Sequence, residues 1–152
     1  MIDDIDRIMA VMTASFDPVY GEAWNRRQVE DALKFGNCHY EVLCAQGHTP
    51  DESESAAGFF LSRTGFEEEE LLLLAVTPES RGQGLGRALL QNLRIGAISR
   101  GTHRLLLEMR RGNPAETLYR NFGFYPIGER REYYRTPSGQ RLDAVTFACD
   151  IG

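Results

Sequence analysis

Residues 71–93 read Leu-Leu-Leu-Leu-Ala-Val-Thr-Pro-Glu-Ser-Arg-Gly-Gln-Gly-Leu-Gly-Arg-Ala-Leu-Leu-Gln-Asn-Leu. The stretch begins with an unbroken apolar run, the pattern of a strand covered on both faces. Thr77-Pro78-Glu79-Ser80 ends it, because proline cannot donate to a central ladder. Arg81 to Arg87 then carries glycine at positions 82, 84 and 86, and Leu85, Ala88, Leu89 and Leu93 share one face of a following helix. A glycine-rich turn feeding a helix N-terminus is an anion site, since unpaired N–H groups point outward and the helix dipole favours negative charge. Arg81 and Arg87 add guanidinium donors suited to phosphate.

Spacing narrows the choice of anion. A Walker loop needs Lys-Ser or Lys-Thr after its last glycine, and Arg87-Ala88 stands here. The dinucleotide fingerprint needs G-x-G-x-x-G, and Arg87 occupies its third glycine position. Both nucleotide readings fit poorly. The plain alternative is a tight turn whose glycines serve only positive φ. The strand before the turn, the two arginines and the motifs downstream weigh against it.

The chain has 152 residues, enough for one domain, 1–152, with a real core. Hydrophobic content of 42% and charged content of 26% are ordinary for a soluble globular protein. No apolar run reaches the length of a membrane span, and the acidic start Met1 to Met9 lacks the basic region of a signal peptide. Cys38, Cys44 and Cys149 are odd in number and without metal spacing, so they read as reduced thiols of a cytoplasmic protein. His39, His48 and His103 likewise share no metal spacing, and no metal is expected. Cys149 has no basic neighbour in sequence, which argues against an acyl-cysteine route. The net charge of −5 gives no support for general nucleic-acid binding, and a polyanionic ligand must be met by local positive charge.

Periodicity places a helix over 3–16, with Ile5, Ile8, Met9, Met12 and Phe16 at helical spacing. Asn25 with Gln28 forms a capping box for a second helix to about Phe35, stopped by Gly36-Asn37. Strands follow over 38–45 and 56–63, around the polar loop 46–55. The acids Glu67 to Glu70 read as a solvated loop or strand end rather than a device for attracting a cationic substrate. After the central helix, 102–109 is another buried strand. Asn113-Pro114 opens a short helix to about Asn121, and two strands, 124–134 and 142–151, close the chain. This order gives an α/β fold: a mixed, twisted sheet with strand–helix–strand crossovers and flanking helices.

In the strand 105–109, Leu105, Leu107 and Met109 share one face and Leu106 and Glu108 the other. A carboxylate inside a buried strand loses hydration, which is how a carboxylate becomes a stronger base. The alternative is a glutamate at the strand's wet end, paired with Arg104 or Arg110. Tyr119 taken alone is a core aromatic.

The run Val76 to Arg87, with its strand before and helix after, resembles motif A of the GCN5-related N-acetyltransferases (GNAT). Glu108-Met-Arg-Arg-Gly-Asn113, then Leu118-Tyr119 and Gly123-Phe124, resembles the family's motif B. Trp24, Arg130-Arg-Glu-Tyr-Tyr134, Gly139 and Asp143-Ala144 are similar to the subgroup of bacterial ribosomal-protein-alanine N-acetyltransferases. The Asn113-to-Tyr119 spacing is one residue shorter than the family's usual form.

The resemblance implies a GNAT fold and direct acetyl transfer from acetyl-CoA to an amine, with no metal. It implies a peptide or protein N-terminus as acceptor, the N-terminal alanine of a small-subunit ribosomal protein, and no nucleic-acid or membrane partner. Glu108 would be the general base and Tyr119 the general acid. Leu74, Ala75 and Val76 would align the pantetheine like an added strand, and the Val76 N–H would polarise the thioester. Arg81, Gly82, Gln83, Gly84, Leu85, Gly86 and Arg87 would cradle the pyrophosphate, with Asn113 a further cofactor contact. Trp24 and the Tyr133-Tyr134 region would help hold the acceptor. The alternatives are a small-molecule N-acetyltransferase, which an acidic pocket lined by Glu67 to Glu70 would favour, and a non-catalytic CoA-binding domain.

Overall fold

The computed structural model describes residues 3–152. Helix α1 (Asp4–Ser15) starts at Asp3, whose side chain accepts from the Asp6 N–H, and α2 (Arg26–Lys34) starts with the Asn25–Gln28 capping box made in both directions. Then come β1 (Cys38–Leu43), β2 (Gly58–Thr64), β3 (Glu68–Val76), α3 (Leu85–Ser99), β4 (Arg104–Arg110), α4 (Glu116–Phe122), β5 (Tyr125–Arg135) and β6 (Arg141–Asp150). Short 3-10 turns occupy Pro18–Tyr20 and Pro78–Ser80. No helix among the described residues is long and apolar enough to cross a membrane.

The strands form one six-stranded sheet in the order β1-β2-β3-β4-β6-β5. Only β3 and β4 are parallel neighbours, joined through α3; every other neighbouring pair is antiparallel. Through β6, β5 also runs parallel to β4, so α4 is a second crossover. The expected mixed sheet with two crossovers is the one found.

Each face of the sheet has its own core. Leu85, Leu89, Leu90 and Leu93 of α3 and Tyr119 of α4 pack with Leu105, Leu107 and Met109 of β4. On the other face, Ile8, Val11 and Met12 of α1 and Val29 of α2 pack with Phe59, Leu61, Leu73 and Ala75. Burial on both faces is why β3 reads as a continuous apolar run.

The acidic run is the largest departure from expectation. Glu68, Glu69 and Glu70 are the first residues of β3 itself, and Glu69 is fully buried. The Arg100 guanidinium donates to it at 3.0 and 2.7 Å, and the Ser62 hydroxyl at 2.7 Å. A row of identical residues hides which one points inward; alternation along the strand decides it. The second departure is α4, which begins at Glu116 rather than Pro114. Asn113 Oδ1 instead accepts from the Ala115 N–H at 2.9 Å, closing a turn ahead of the helix.

Candidate active site

One defect in the sheet organises the site. β2 pairs with β3 as far as Gly58–Val76, but the register skips Leu72, which is left as a bulge. Leu71 faces the α3 core, while Leu73 and Ala75 face the α1 and α2 core, so the bulge switches the strand's faces. Pairing of β3 with β4 ends at Leu71–Leu107, although β3 continues to Val76 and β4 to Arg110. Beyond the bulge the two parallel strands therefore splay apart. The Thr77 N–H donates to Ala57 O, on the β2 side. Alternation then turns the N–H and C=O of Val76 and Leu74 toward the gap.

At the same end of the sheet, α3 begins without a side-chain cap: its N-cap is Gly84, at φ 85. Gly82 has φ 77, and a Cβ at either glycine would meet nothing within 4 Å. The open N–H groups of the first turn face free space, the requirement for an anion cradle. Arg87 is exposed, with its guanidinium 6.0 Å from the Phe122 ring. Leu85 belongs to the core through its side chain and can offer only backbone to a ligand. The Gln83 amide donates to Glu79 O at 3.4 Å.

Two members of the motif do other work. The Arg81 side chain donates to Val76 O and Ser15 O, both at 3.1 Å, so it ties the end of β3 to α1 instead of reaching for a phosphate. This engagement occupies the gap-facing Val76 carbonyl and leaves the Val76 N–H. Gly86 is needed for helix packing, since a Cβ there would lie 2.9 Å from Leu118 Cδ2 of α4.

Glu108 lies on β4 in the splayed part, on the face toward α1 and α2, with a fifth of its side chain exposed. The Thr146 hydroxyl donates to its carboxylate at 3.1 Å, and Arg130 Nε stands 3.7 Å away. The Tyr134 hydroxyl donates to the Glu108 backbone carbonyl at 3.4 Å. Burial, then the charges of Glu108 and Glu22, push the Tyr134 phenol up to about 12, so it keeps its proton.

Tyr119 sits on the opposite face of the sheet, 7% exposed, with Phe124 edge-on at 5.7 Å. Burial first, and the charge of Glu22 second, raise its phenol well above the ordinary value. A buried phenol that holds its proton is suited to be a donor. Glu108 and Tyr119 thus lie on opposite faces of the sheet.

Sequence reasoning missed a further cluster. Glu22, in the loop between α1 and α2, pairs with Arg110 at 3.3 Å, both largely buried. The Arg110 guanidinium stacks 3.5 Å from the centre of the Tyr20 ring. Gly21, at φ 64, lies against Pro137 of the β5–β6 turn, so this loop and that turn meet. Arg110 was findable, because it stands two residues from Glu108 on the same strand face. Glu22 was not: its segment has no periodicity, and only folding brings it to β4. Trp24 packs partly against the α1 and α2 core rather than standing free for a ligand.

A GNAT acetyltransferase domain matches residues 51–126. The chain belongs to the GNAT acetyltransferase family. It is 41% identical over 96 residues to the [ribosomal protein bS18]-alanine N-acetyltransferase of Escherichia coli, covering 62% of this chain and 64% of that protein. It is 37% identical over 98 residues to the Haemophilus influenzae enzyme of the same description, covering 64% and 67%. The aligned segment therefore spans about two thirds of those relatives. The crystal structure of the ribosomal-protein-S18-alanine N-acetyltransferase from Escherichia coli superimposes with a TM-score of 0.78 at 27% identity, covering 99% of this chain and 91% of that one. Within the GNAT fold, the splay between β3 and β4 and the uncapped start of α3 are the features on which acyl-CoA chemistry can be built.

Proposed function

We propose that this protein transfers an acetyl group from acetyl-CoA to the α-amine of a protein N-terminus, with the N-terminal alanine of ribosomal protein bS18 as the acceptor. The reading rests on the splay: two adjacent parallel strands stop pairing at Leu71–Leu107 and leave backbone groups facing a gap. An extended thiol-bearing arm fits there as a substitute strand. Gly82, Gly84 and the first turn of α3 receive the pyrophosphate, and Arg87 supplies the free cation. Leu74 and Val76 pair with the pantetheine, and the Val76 N–H polarises the thioester carbonyl. Asn113 keeps its Nδ2 available to the cofactor, since only Oδ1 is engaged.

Glu108 takes the proton from the incoming amine, directly or through a water, and Tyr119 returns one to the departing thiolate. Two faces suit two substrates: the acceptor approaches from the side of Glu108, Tyr134 and the Glu22 loop, and CoA from the side of α3 and α4. Holding both in one gap supplies the proximity term. The amine class follows from acidity. An α-amine of pKa ~7.8 is about one-third neutral at pH ~7.5, whereas a lysine amine of pKa ~10.4 is neutral roughly one time in a thousand. One glutamate, held in place by a threonine hydroxyl and an arginine, has the easier deprotonation to perform with an α-amine.

A small-molecule acceptor would have drawn on an acidic pocket at Glu67 to Glu70. Those acids lie at the other end of β3, with Glu68, Glu69 and Glu70 facing Arg104, Arg100 and Arg63 at 3.8, 2.7 and 2.8 Å. Glu68, Glu69 and Glu70 are thus engaged by arginines, and Glu67 alone of the run is exposed, outside the strand. The test is mass spectrometry of acetyl transfer to a peptide with N-terminal alanine, the same peptide N-blocked with an internal lysine, and a polyamine. Turnover confined to the free α-amine is expected. Equal turnover of the blocked peptide or the polyamine would overturn the proposal.

A further inference from the structure

The loop from Cys44 to Ala57, between β1 and β2, has no part in acetyl transfer as described. Three of its side chains nevertheless carry metal-binding chemistry. One ligand atom each from Cys44, His48 and Glu54 lies within 4.8 Å of the other two. Cys44 is buried and free of any disulfide, Glu54 is half-buried and His48 is exposed.

The loop is pinned in a way that orients all three. The Cys44 N–H donates to His48 O at 2.8 Å and the Gly47 N–H to Cys44 O at 3.0 Å, closing a tight turn that Gly47 permits at φ 88. From α1, the buried Arg7 donates to Glu54 O, Asp51 O and Glu52 O at 2.9, 2.7 and 3.2 Å. The Asp51 N–H donates to Glu54 Oε1 at 3.0 Å, which leaves Oε2 for a further partner. His48 Nδ1 is 2.9 Å from Thr49 O. A carbonyl can only accept, so Nδ1 holds the proton and Nε2 carries the lone pair. This is the support that metal-bound imidazoles have: one ring nitrogen donating to a carbonyl, the other free to ligate.

We propose that Cys44, His48 and Glu54 form a zinc site. A thiolate, an imidazole and a carboxylate suit zinc, whereas calcium and magnesium call for oxygen ligands throughout. Tetrahedral zinc with bonds of about 2.0–2.3 Å sets neighbouring ligand atoms roughly 3.3–3.8 Å apart. The three atoms, all within 4.8 Å of one another, need only small side-chain shifts to reach that spacing, with water in the fourth position. The Cys44 thiol gives up its proton on binding. The loop also lies near the start of α3, since a Cβ at Gly47 would lie 3.9 Å from Leu85 Cδ2. A metal here clips that loop beside the first turn of α3.

The experiment is titration of the tag-free, chelator-dialysed full chain with cobalt(II), followed by displacement with zinc, under reducing conditions. One equivalent should bind with a thiolate-to-metal charge-transfer band, and zinc should abolish the band. Cys38→Ser should behave as wild type. His48→Ala and Glu54→Gln, both on the loop surface and checked for folding by circular dichroism, should each weaken binding about tenfold or more. Binding without the charge-transfer band, or unchanged affinity in both loop variants, overturns the site. None of these readouts depends on acetyl transfer.

Discussion

The two halves of β3 are one strand put to opposite uses. From Glu69 to Leu71 it is paired on both sides, with β2 and with β4. Its buried carboxylate, Glu69, has three donors within 3.0 Å. From Leu73 to Val76 it keeps β2 alone, and its other edge faces the gap. A single bulged residue, Leu72, separates the regimes. The closed half meets its own hydrogen-bonding demand, as a buried backbone must. The open half has no strand on its gap side, and Arg81 meets only its Val76 carbonyl there. In this fold, stability and chemistry are divided along the length of one strand.

Breaking the closed half should give the largest effect. Arg100→Ala leaves Glu69 buried without its cation, and removing one partner of a buried pair costs about 3–5 kcal/mol. Urea unfolding should show that loss, while kcat per folded molecule stays within about twofold. A midpoint close to wild type would mean that water or Ser62 suffices for Glu69. In the open half, Glu108→Gln should lower kcat by about 10²-fold or more, roughly 2.7 kcal/mol in the barrier, with little change in stability. The loss should shrink at high pH, where the amine deprotonates unaided. Tyr119→Phe should also lower kcat but show no such rescue, because a phenol raised by burial stays protonated throughout the working range. A Glu108→Gln enzyme with a wild-type pH–rate profile would assign the base to another group or to bulk water.

The comparison also explains what could be read from sequence. The open half was legible because its signals are local: an apolar run, a proline stop, glycines at φ 77 and 85, and a helix whose apolar face repeats on schedule. The place of Glu108 on the strand face opposite Leu105, Leu107 and Met109 was legible through alternation, and that of Tyr119 on a short helix through its Leu-Tyr and Gly-Phe context. The closed half was misread because Glu69 differs from Glu67, Glu68 and Glu70 only in where it points, and its partner Arg100 lies 31 residues away. Arg81 has a use that its sequence neighbourhood does not announce, for a similar reason. Its sequence neighbours are a phosphate-type loop, but its guanidinium is drawn to Val76 O and to Ser15 O, 66 residues away. Long-range partners decide the use of a charged side chain, and no local pattern encodes them.

That difference between the two motif arginines can be sharpened by calorimetry. Arg87→Ala should weaken CoA binding by about 1–3 kcal/mol, the range of a charge-assisted contact, and leave stability unchanged. Arg81→Ala should lower stability by about 0.5–1.5 kcal/mol per lost hydrogen bond. It should disturb CoA binding only as far as the end of β3 loosens. Equal losses of affinity in the two variants, with no loss of stability in either, would return Arg81 to the phosphate cradle.

The smallest effect tests whether the closed half is a matter of acids or of one acid. Glu70 neighbours Glu69 in sequence but points the other way, and its partner Arg63 is half exposed, at 2.8 Å. A surface pair of this kind gains little, because water solvates both charges well and salt screens them. Glu70→Gln should therefore change stability by less than about 1 kcal/mol. Raising the ionic strength should remove most of that difference. Glu69→Gln removes the charge that Arg100 binds yet keeps acceptor capacity toward Ser62, so its cost should be several-fold larger and nearly independent of salt. Measured side by side in low and high salt, the two substitutions separate a buried ion pair from a solvated one at adjacent positions of the same strand. Equal costs for the pair would mean that the acidic run acts as a block, and that the burial of Glu69 does not set it apart.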